Sequence, residues 1–445
     1  MTIGRQGTRW KSKQMRGQAA ESGVSLRTMR CLIWFISLAG CAMAADDFWD
    51  LAPILYSDTA PANALASLAA DLAAGKAKVE GDTGLERLRF VLKTLHVPED
   101  SQVLVFSKTS HQNALIGPDN PRALYFSENA YVGYVPGGKI EAIVQDPLLG
   151  PVFYLIGSGP DGGLEIERDL STCISCHGTS ATENVPGMQV RSVFPDVDGD
   201  PMLGMGTSQV DHESPLARRW GGYYVTGRGA MPHLGNRIYQ EGGAIEPETS
   251  ALMNLQGTID VSKYLRPTSD IVALMVLEHQ CRMHNLFTSA SMQYRRAYYL
   301  GHAMDGTADP DEGSAGKVAD WGADRIVECL FFKNEADPGE NIEGGEAFQK
   351  SFAAGFPRSK EGRSLADFQL YQRIFKHRCS FMVYSDAFRD LPPRVKRAVI
   401  AKMHQALAGE EPGIDWLKSS ERTRINGILA DTLPGWQAAD DKRLD

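Results

Sequence analysis

Five consecutive residues in the middle of the chain combine two thiols and an imidazole in a chemically useful pattern. Cys173, Cys176 and His177 form a Cys-x-x-Cys-His sequence, which is the attachment signal for c-type haem. Two thiols at this spacing can each bond a vinyl group on one edge of a porphyrin, while the adjacent imidazole reaches the iron from the same side. The sequence therefore predicts one covalently attached haem c, anchored by Cys173 and Cys176, with His177 as the proximal iron ligand.

A thioredoxin-like dithiol or half of a zinc site would use the same two cysteines. The sequence contains no second Cys-x-x-Cys pair to complete a zinc site, and no strand-to-helix redox unit is evident around the first pair. Both alternatives are therefore disfavoured.

The ligand on the other face of the iron decides between electron transfer and catalysis. A second strong ligand closes the iron, whereas a vacancy opens it to peroxide or small gases. The loop at 229–236 offers His233, our first candidate for the distal ligand, and Met231, the alternative. A vacancy or another residue is the third option, and simple packing is the plainer role for both side chains.

Three histidines are candidate acids or bases for an open haem site: His212, His233 and His279. Asp211 and Glu213 flank His212 and are expected to hold its imidazole protonated, although a turn or helix cap is the plainer role. His279 lies on a predicted buried helix, where a core histidine is the plainer role.

Charged residues supply two further patterns. The spacing of Glu278 and Arg282 on one predicted helix suits an ion pair. Bidentate contacts with haem propionates are expected of Arg191, Arg218 and Arg219, with a solvated surface as the alternative.

The elements that must position these residues change in type along the chain. Strand signals are found at 103–106, 123–126, 131–135, 140–144, 152–156 and 223–225. Helical signals are found at 61–74, 85–95, 270–299, 318–332, 364–375 and 393–407. We expect an α+β fold, with a β-rich, haem-bearing N-terminal region followed by a mainly α-helical C-terminal region. The predicted divisions are an export segment at 1–44, an α+β domain with the haem motif at 45–265 and an α-helical domain at 266–445.

The amino terminus has the layout of a secretory signal. Basic residues precede a short apolar run at 32–40, small residues follow it, and the run is too short to span a bilayer. Cleavage at an Ala-x-Ala site would leave Ala45 first, whereas a lipobox would make Cys41 an acylated residue. We expect export to the periplasm, with a lipid anchor at Cys41 as the open alternative, and translation starting at Met29.

Composition excludes several classes of protein. With 43% hydrophobic and 23% charged residues, the chain is neither disordered nor a polytopic membrane protein. The net charge is −9, and residues 1–44 hold seven Lys or Arg against one Glu, so the remainder is more acidic still. Nucleic acid is therefore not an expected partner. Outside the motif and the signal, Cys281, Cys329 and Cys379 allow at most one disulfide, whose pairing is open.

Several short pieces of the chain between residues 103 and 436 carry a family resemblance. They are 122–126, 173–178, 190–193, 211–215, 220–227 and 233–236. With them the chain resembles large exported single-haem cytochromes c. The resemblance implies haem c and periplasmic electron chemistry, and it implies no substrate. Only the haem motif is specific to a mechanism, and the long segments around it differ from those of small shuttle cytochromes.

We expect a periplasmic electron-transfer protein or the haem module of a redox enzyme, acting with a periplasmic redox partner protein. The alternative is a haem peroxidase or gas-binding enzyme with an open distal site. A third hypothesis is a non-catalytic sensor or assembly protein.

Overall fold

Alternating apolar residues in the first half of the chain form an antiparallel sheet. A computed structural model describes residues 47–159, 162–229, 231–245, 252–305, 309 and 313–438. The predicted export segment, with Cys41 and Met29, lies outside these residues. Within them the sheet has seven strands in the order β6-β5-β4-β3-β2-β1-β9. The strands are β1 (Val103–Val105), β2 (Arg122–Phe126), β3 (Ala130–Tyr134), β4 (Ile140–Asp146), β5 (Gly150–Ser158), β6 (Leu164–Arg168) and β9 (Tyr223–Tyr224).

The two faces of this sheet are covered differently. On one face, Tyr125, Val132 and Tyr154 are buried with the first two helices, α1 (Ala64–Ala73) and α2 (Gly84–Thr94). The opposite face carries Phe126 and Tyr131, which pack with the C-terminal helices. Side chains alternate between the faces of a strand, so each face has its own set of residues.

The second half of the chain is helical. Its main elements are α4 (Ile271–Asp305), α5 (Gly313–Leu330), α6 (Glu346–Ala354), α7 (Asp386–Arg389), α8 (Pro393–Ala408) and α9 (Ser419–Thr432). The first part of α4 is buried all round, as expected of a helix at the centre of a core. Helix α5 packs against both α4 and α8.

Short elements connect these two halves. They are α3 (Ile174–His177), a pair of strands β7 (Arg191–Val193) and β8 (Thr207–Gln209), and a pair β10 (Ile238–Gln240) and β11 (Gly243–Ile245). A sheet in the N-terminal half and helices in the C-terminal half confirm the α+β class. The described residues from Asp47 onward belong to one compact unit, and a domain boundary at 265/266 stays a prediction.

One predicted helix is wrong. Residues 364–375 form no helix, and Phe368 pairs instead with Phe375 in an isolated β-bridge. Leu370 and Gln372 have φ values of 60° and 58°, which a right-handed helix does not allow. Helices α6 and α9 were not predicted. No helix in the described ranges has the length and apolarity needed to cross a bilayer.

Candidate functional site

The Cys-x-x-Cys-His residues occupy a single helical turn. His177 closes this turn by donating its backbone N–H to the Cys173 carbonyl oxygen at 2.9 Å. Asp169 fixes the start of the turn, because its Oδ1 accepts the N–H groups of Ser171 and Cys173, both at 3.0 Å. Residues three apart on a helix face the same side, so the two thiols lie on one side of the turn. Both thiols are free, with Cys176 exposed and Cys173 partly buried.

The imidazole of His177 is held in one tautomer. Its Nδ1 lies 2.8 Å from the Gly187 carbonyl oxygen, and a carbonyl oxygen can only accept a hydrogen bond. Nδ1 therefore carries the proton, and Nε2 has a free lone pair. Among the described residues Nε2 makes no hydrogen bond. Burial lowers the pKa of His177, which favours the neutral ring that a metal requires.

Helix α4 holds the segment that orients this ring. Asn285 on α4 accepts the Met188 N–H at 2.8 Å and donates to the Met188 carbonyl oxygen at 2.7 Å. A Cβ atom at Gly187 would collide with the Asn285 side chain and with Thr182, so this close approach needs glycine. Helix α4 thus fixes the position of the Gly187 carbonyl oxygen, which accepts the hydrogen bond from His177.

The sheet presents an apolar surface beside the motif. The Phe153 ring on β5 lies 5.2 Å from the His177 ring. Leu124, Ile143 and Leu155 are on the same face as Phe153, as the strand register shows, and all three remain partly exposed. A partly exposed apolar surface next to a free imidazole lone pair can bury the face of a porphyrin.

An ion pair lies close to the motif on this sheet. Arg122 and Glu141 are 2.9 Å apart, and their charges act on both Cys173 and His177. Burial alone would raise the pKa of Glu141, but Arg122 and hydrogen bonds from neighbouring side chains hold that pKa below its ordinary value. The Arg122 side chain remains 17% exposed, so part of its guanidinium faces the surface beside the motif.

Of the three arginines expected at the propionates, Arg191 and Arg218 stay predictions, and Arg219 is wrong. Arg219 is buried and pairs with Glu278 at 2.6 Å, so it does not reach a cofactor carboxylate. Arg191 lies beside Thr207. Sequence analysis missed Arg122 because only the register of β2 brings it near the motif.

The predicted Glu278–Arg282 ion pair is also wrong. Glu278 accepts from Arg219 and from Trp220 Nε1, and burial raises its pKa to about 7 against the lowering effect of Arg219. Arg282 instead pairs with Glu183 at 2.5 Å. Glu183 follows the motif by six residues and also pairs with Arg325 on α5. These pairs join the motif segment to α4 and α5.

The two distal-ligand candidates differ in their surroundings. Met231 is exposed. The Nδ1 of His233 accepts the Gly235 N–H at 3.1 Å, which places the ring proton on Nε2 and leaves no free lone pair. Burial lowers the pKa of His233 to about 4, and its ring lies edge-on to Trp220. Distal ligation by either residue stays a prediction.

The other two candidate histidines lie together in the core. His212 and His279 are fully buried, and their Nδ1 atoms are 3.2 Å apart. The prediction that Asp211 and Glu213 keep His212 protonated is wrong, since burial lowers the pKa of His212 to about 4 despite the opposing charge of Asp211. Cys281, Cys329 and Cys379 are all buried and free, so they form no disulfide.

Comparisons with models of protein families, with curated proteins and with solved structures gave no match for this chain.

Proposed function

We propose that this chain is an exported, periplasmic c-type cytochrome with one haem, which exchanges electrons with a periplasmic redox partner as a carrier or as the haem module of a redox enzyme. The observation that carries the proposal is the hydrogen bond from His177 Nδ1 to the Gly187 carbonyl oxygen. This bond leaves Nε2 as a ligand, in a residue directly after two free thiols on one helical turn. The export segment supports maturation outside the cytoplasm, and a lipid anchor at Cys41 remains the alternative to a soluble form.

The residues around the motif have separate roles in this proposal. Cys173 and Cys176 would each add a thiol S–H across a vinyl C=C bond of the haem, with Asp169 holding the turn in place. His177 would ligate the iron through Nε2 while Gly187 retains the proton on Nδ1. Leu124, Ile143 and Leu155 would exclude water from the porphyrin face. When bound, the haem supplies a ferric–ferrous couple that carries one electron.

The Arg122–Glu141 pair would set the charge beside the cofactor. A guanidinium near a propionate stabilises the carboxylate, and a carboxylate near the iron favours the ferric state, since reduction removes a positive charge. Both side chains are 17% exposed, so water screens them only partly. The pair therefore gives the chain a means of adjusting the reduction potential.

The test is covalent haem attachment in cells that carry a cytochrome c maturation system. We expect one haem per chain, retained on a denaturing gel and seen as a mass increase of one haem group. The Cys173→Ala/Cys176→Ala double variant should retain none. Cys379→Ala, which also removes a free thiol, should match the unmodified chain. An unmodified chain that folds without haem, or a double variant that keeps it, would contradict the proposal.

A haem peroxidase or gas-binding enzyme is the second candidate, and the tautomer of His233 favours it. A ring whose Nδ1 accepts from Gly235 has no lone pair for iron, so His233 offers no distal ligand in this arrangement. Ferric spin state separates the two functions. Low-spin iron that becomes high-spin in His233→Ala or Met231→Ala would name the distal ligand and support electron transfer. High-spin iron in the unmodified protein, together with hydrogen peroxide turnover, would support the enzyme.

A further inference from the structure

Three potential metal ligands converge in the core at a place the haem motif does not use. His212, His279 on α4 and Cys329 on α5 each offer one ligand atom, and these three atoms all lie within 4.8 Å of one another. All three residues are buried. They come from segments far apart in the sequence, so only the fold brings them together.

The two imidazoles face each other through their Nδ1 atoms, which are 3.2 Å apart. Without an ion, the Nδ1–H of one ring donates to the Nδ1 of the other. The Nε2 of His212 is buried and makes no well-formed hydrogen bond among the described residues. A cation between the two Nδ1 atoms would take the place of the bridging proton.

The spacing of the nitrogens suits a metal ion. Two nitrogens at about 2.0–2.1 Å from one tetrahedral ion lie about 3.3 Å apart, close to the 3.2 Å observed. The Nε2 of His279 lies 2.7 Å from Ser380 Oγ, so this hydroxyl can accept the Nε2 proton and leave Nδ1 as the ligand. Ser380 Oγ is itself fixed by the Met382 N–H.

Aromatic rings cover the two imidazoles of this buried cluster. The Phe332 ring stacks on His279 at 4.2 Å and lies edge-on to His212 at 5.4 Å. Phe381 also contacts the His279 ring. Such aromatic packing excludes water and favours soft ligands over hydrated, oxygen-seeking cations such as Mg²⁺.

Charge balance selects among the soft ions. Two neutral imidazoles and one thiolate carry a single negative charge, which balances a monovalent ion. Among the fully buried charges nearby, Glu278 and Arg219 cancel each other. The other charged groups near Cys329 lie closer to solvent, where water screens them: Glu183, Asp211 and Glu213 against Arg282 and Arg325. A divalent ion would leave an uncompensated positive charge in the core, which is costly.

We propose that His212, His279 and Cys329 bind one Cu(I) ion in a buried site separate from the haem motif. Thiolate and imidazole are ligands that Cu(I) accepts readily. Binding releases the Cys329 thiol proton to solvent, and no electron is transferred. The site is joined to the motif segment through Glu183, which pairs with Arg325 on the same helix as Cys329.

The experiment measures copper on the full-length, haem-loaded chain. The protein is incubated with Cu(I) without oxygen, against a chromophoric Cu(I) chelator, and copper and haem are quantified in the same sample. We expect one tightly held copper per chain and an affinity at least about tenfold lower in Cys329→Ala and His279→Gln. Cys379→Ala and His404→Gln are matched controls that should bind as the unmodified chain does.

Two further measurements test the copper site even if a variant fails to fold or haem is not attached. X-ray absorption at the copper edge of the unmodified protein should show one sulfur and two nitrogen ligands, which needs no variant to fold. If haem attachment itself fails, the Cys173→Ala/Cys176→Ala chain removes the two competing thiols and tests copper alone. Three results would each overturn the proposal. The chelator could remove all of the copper, Cys329→Ala could bind copper as tightly as the unmodified chain, or the site could hold one zinc ion that Cu(I) does not displace.

Discussion

At the scale of single residues, His284 gives the clearest dependence of stability on pH. This side chain is fully buried, its Nδ1 lies 2.7 Å from the Tyr131 hydroxyl, and burial lowers its pKa to about 3 against a weak opposing effect of the Glu128 carbonyl. A histidine has a pKa of about 6.5 when unfolded. The folded pKa is depressed, so the stabilisation is present above pH 6.5 and is lost as the pH falls toward 3.

Between pH 7 and pH 5 this one residue should remove about 2 kcal/mol from the free energy of unfolding. His284→Gln retains a polar group for Tyr131 but does not titrate, so its stability should fall by about 2 kcal/mol less over the same interval. Urea unfolding at the two pH values measures the difference. His111→Gln changes an exposed histidine and should parallel the unmodified chain. Parallel curves for His284→Gln would contradict the prediction.

The sequence reveals residues whose function depends on local spacing, and it hides those that depend on the fold. The motif at Cys173, Cys176 and His177 is local, and it lies on one helical turn. Arg122 and Cys329 become notable only because a strand register and a helix packing bring them to other groups. The error for Asp211 and His212 has the same origin, because burial outweighs a neighbouring carboxylate and cannot be read from adjacent residues.

At the scale of elements, Asp270 determines how α4 begins. Its Oδ1 accepts the N–H groups of Val272 and Ala273, each at 2.9 Å, and its Oδ2 accepts the Gly345 N–H. The carboxylate thus accepts hydrogen bonds from N–H groups in the first turn that have no partner within the helix. It also links this turn to the segment before α6. Helix α4 also carries His279 and Asn285, so a shift in its start would move both candidate sites.

Asp270→Ala should lower the free energy of unfolding by about 2–3 kcal/mol, since a cap and a further buried hydrogen bond are lost together. Asp270→Asn retains one carbonyl oxygen for the cap and should lose less. Asp260, an exposed residue that accepts from Ser262, is the matched control, and its change to alanine should cost under about 1 kcal/mol. Thermal and urea unfolding of the three variants measure which one loses the most free energy of unfolding. Equal losses for Asp270→Ala and Asp260→Ala would show that burial adds nothing to this cap.

Helices were predicted correctly where an apolar stripe at helical spacing is buried in the core. The prediction failed where aromatic packing fixes another backbone and where a helix is mostly polar. Six of the seven strands of the main sheet, all but β6, and helices α1, α2, α4, α5 and α8 follow from periodicity. Residues 364–375 have apolar residues at helical spacing, yet Phe368 and Phe375 stack on each other and join an aromatic cluster with Phe352 and Phe381. That packing fixes a non-helical backbone. Helix α9 was missed because most of its residues are polar.

At the scale of the whole molecule, the sheet and the C-terminal helices share one core. Val103, Val105 and Phe126 on the sheet belong to the same buried cluster as the apolar residues of α4, α5 and α8. The motif segment is tied to this cluster through Asn285 and through the Glu183 ion pairs. Removing one half would expose the apolar surface of the other, which costs roughly 25 cal/mol for each Å².

The shared core predicts that residues on either side of the 265/266 boundary unfold together. If the proposed haem is attached, its absorbance during urea unfolding would report the motif region, and far-ultraviolet circular dichroism reports mainly the C-terminal helices. We expect the two curves to coincide at one midpoint, since neither half keeps its core alone. A fragment of residues 266–445 should accordingly show less helix than the same residues have in the full chain. Two separate midpoints, or a fragment that folds, would instead support the two domains expected from the sequence, because each half would then bury enough apolar surface to be stable by itself.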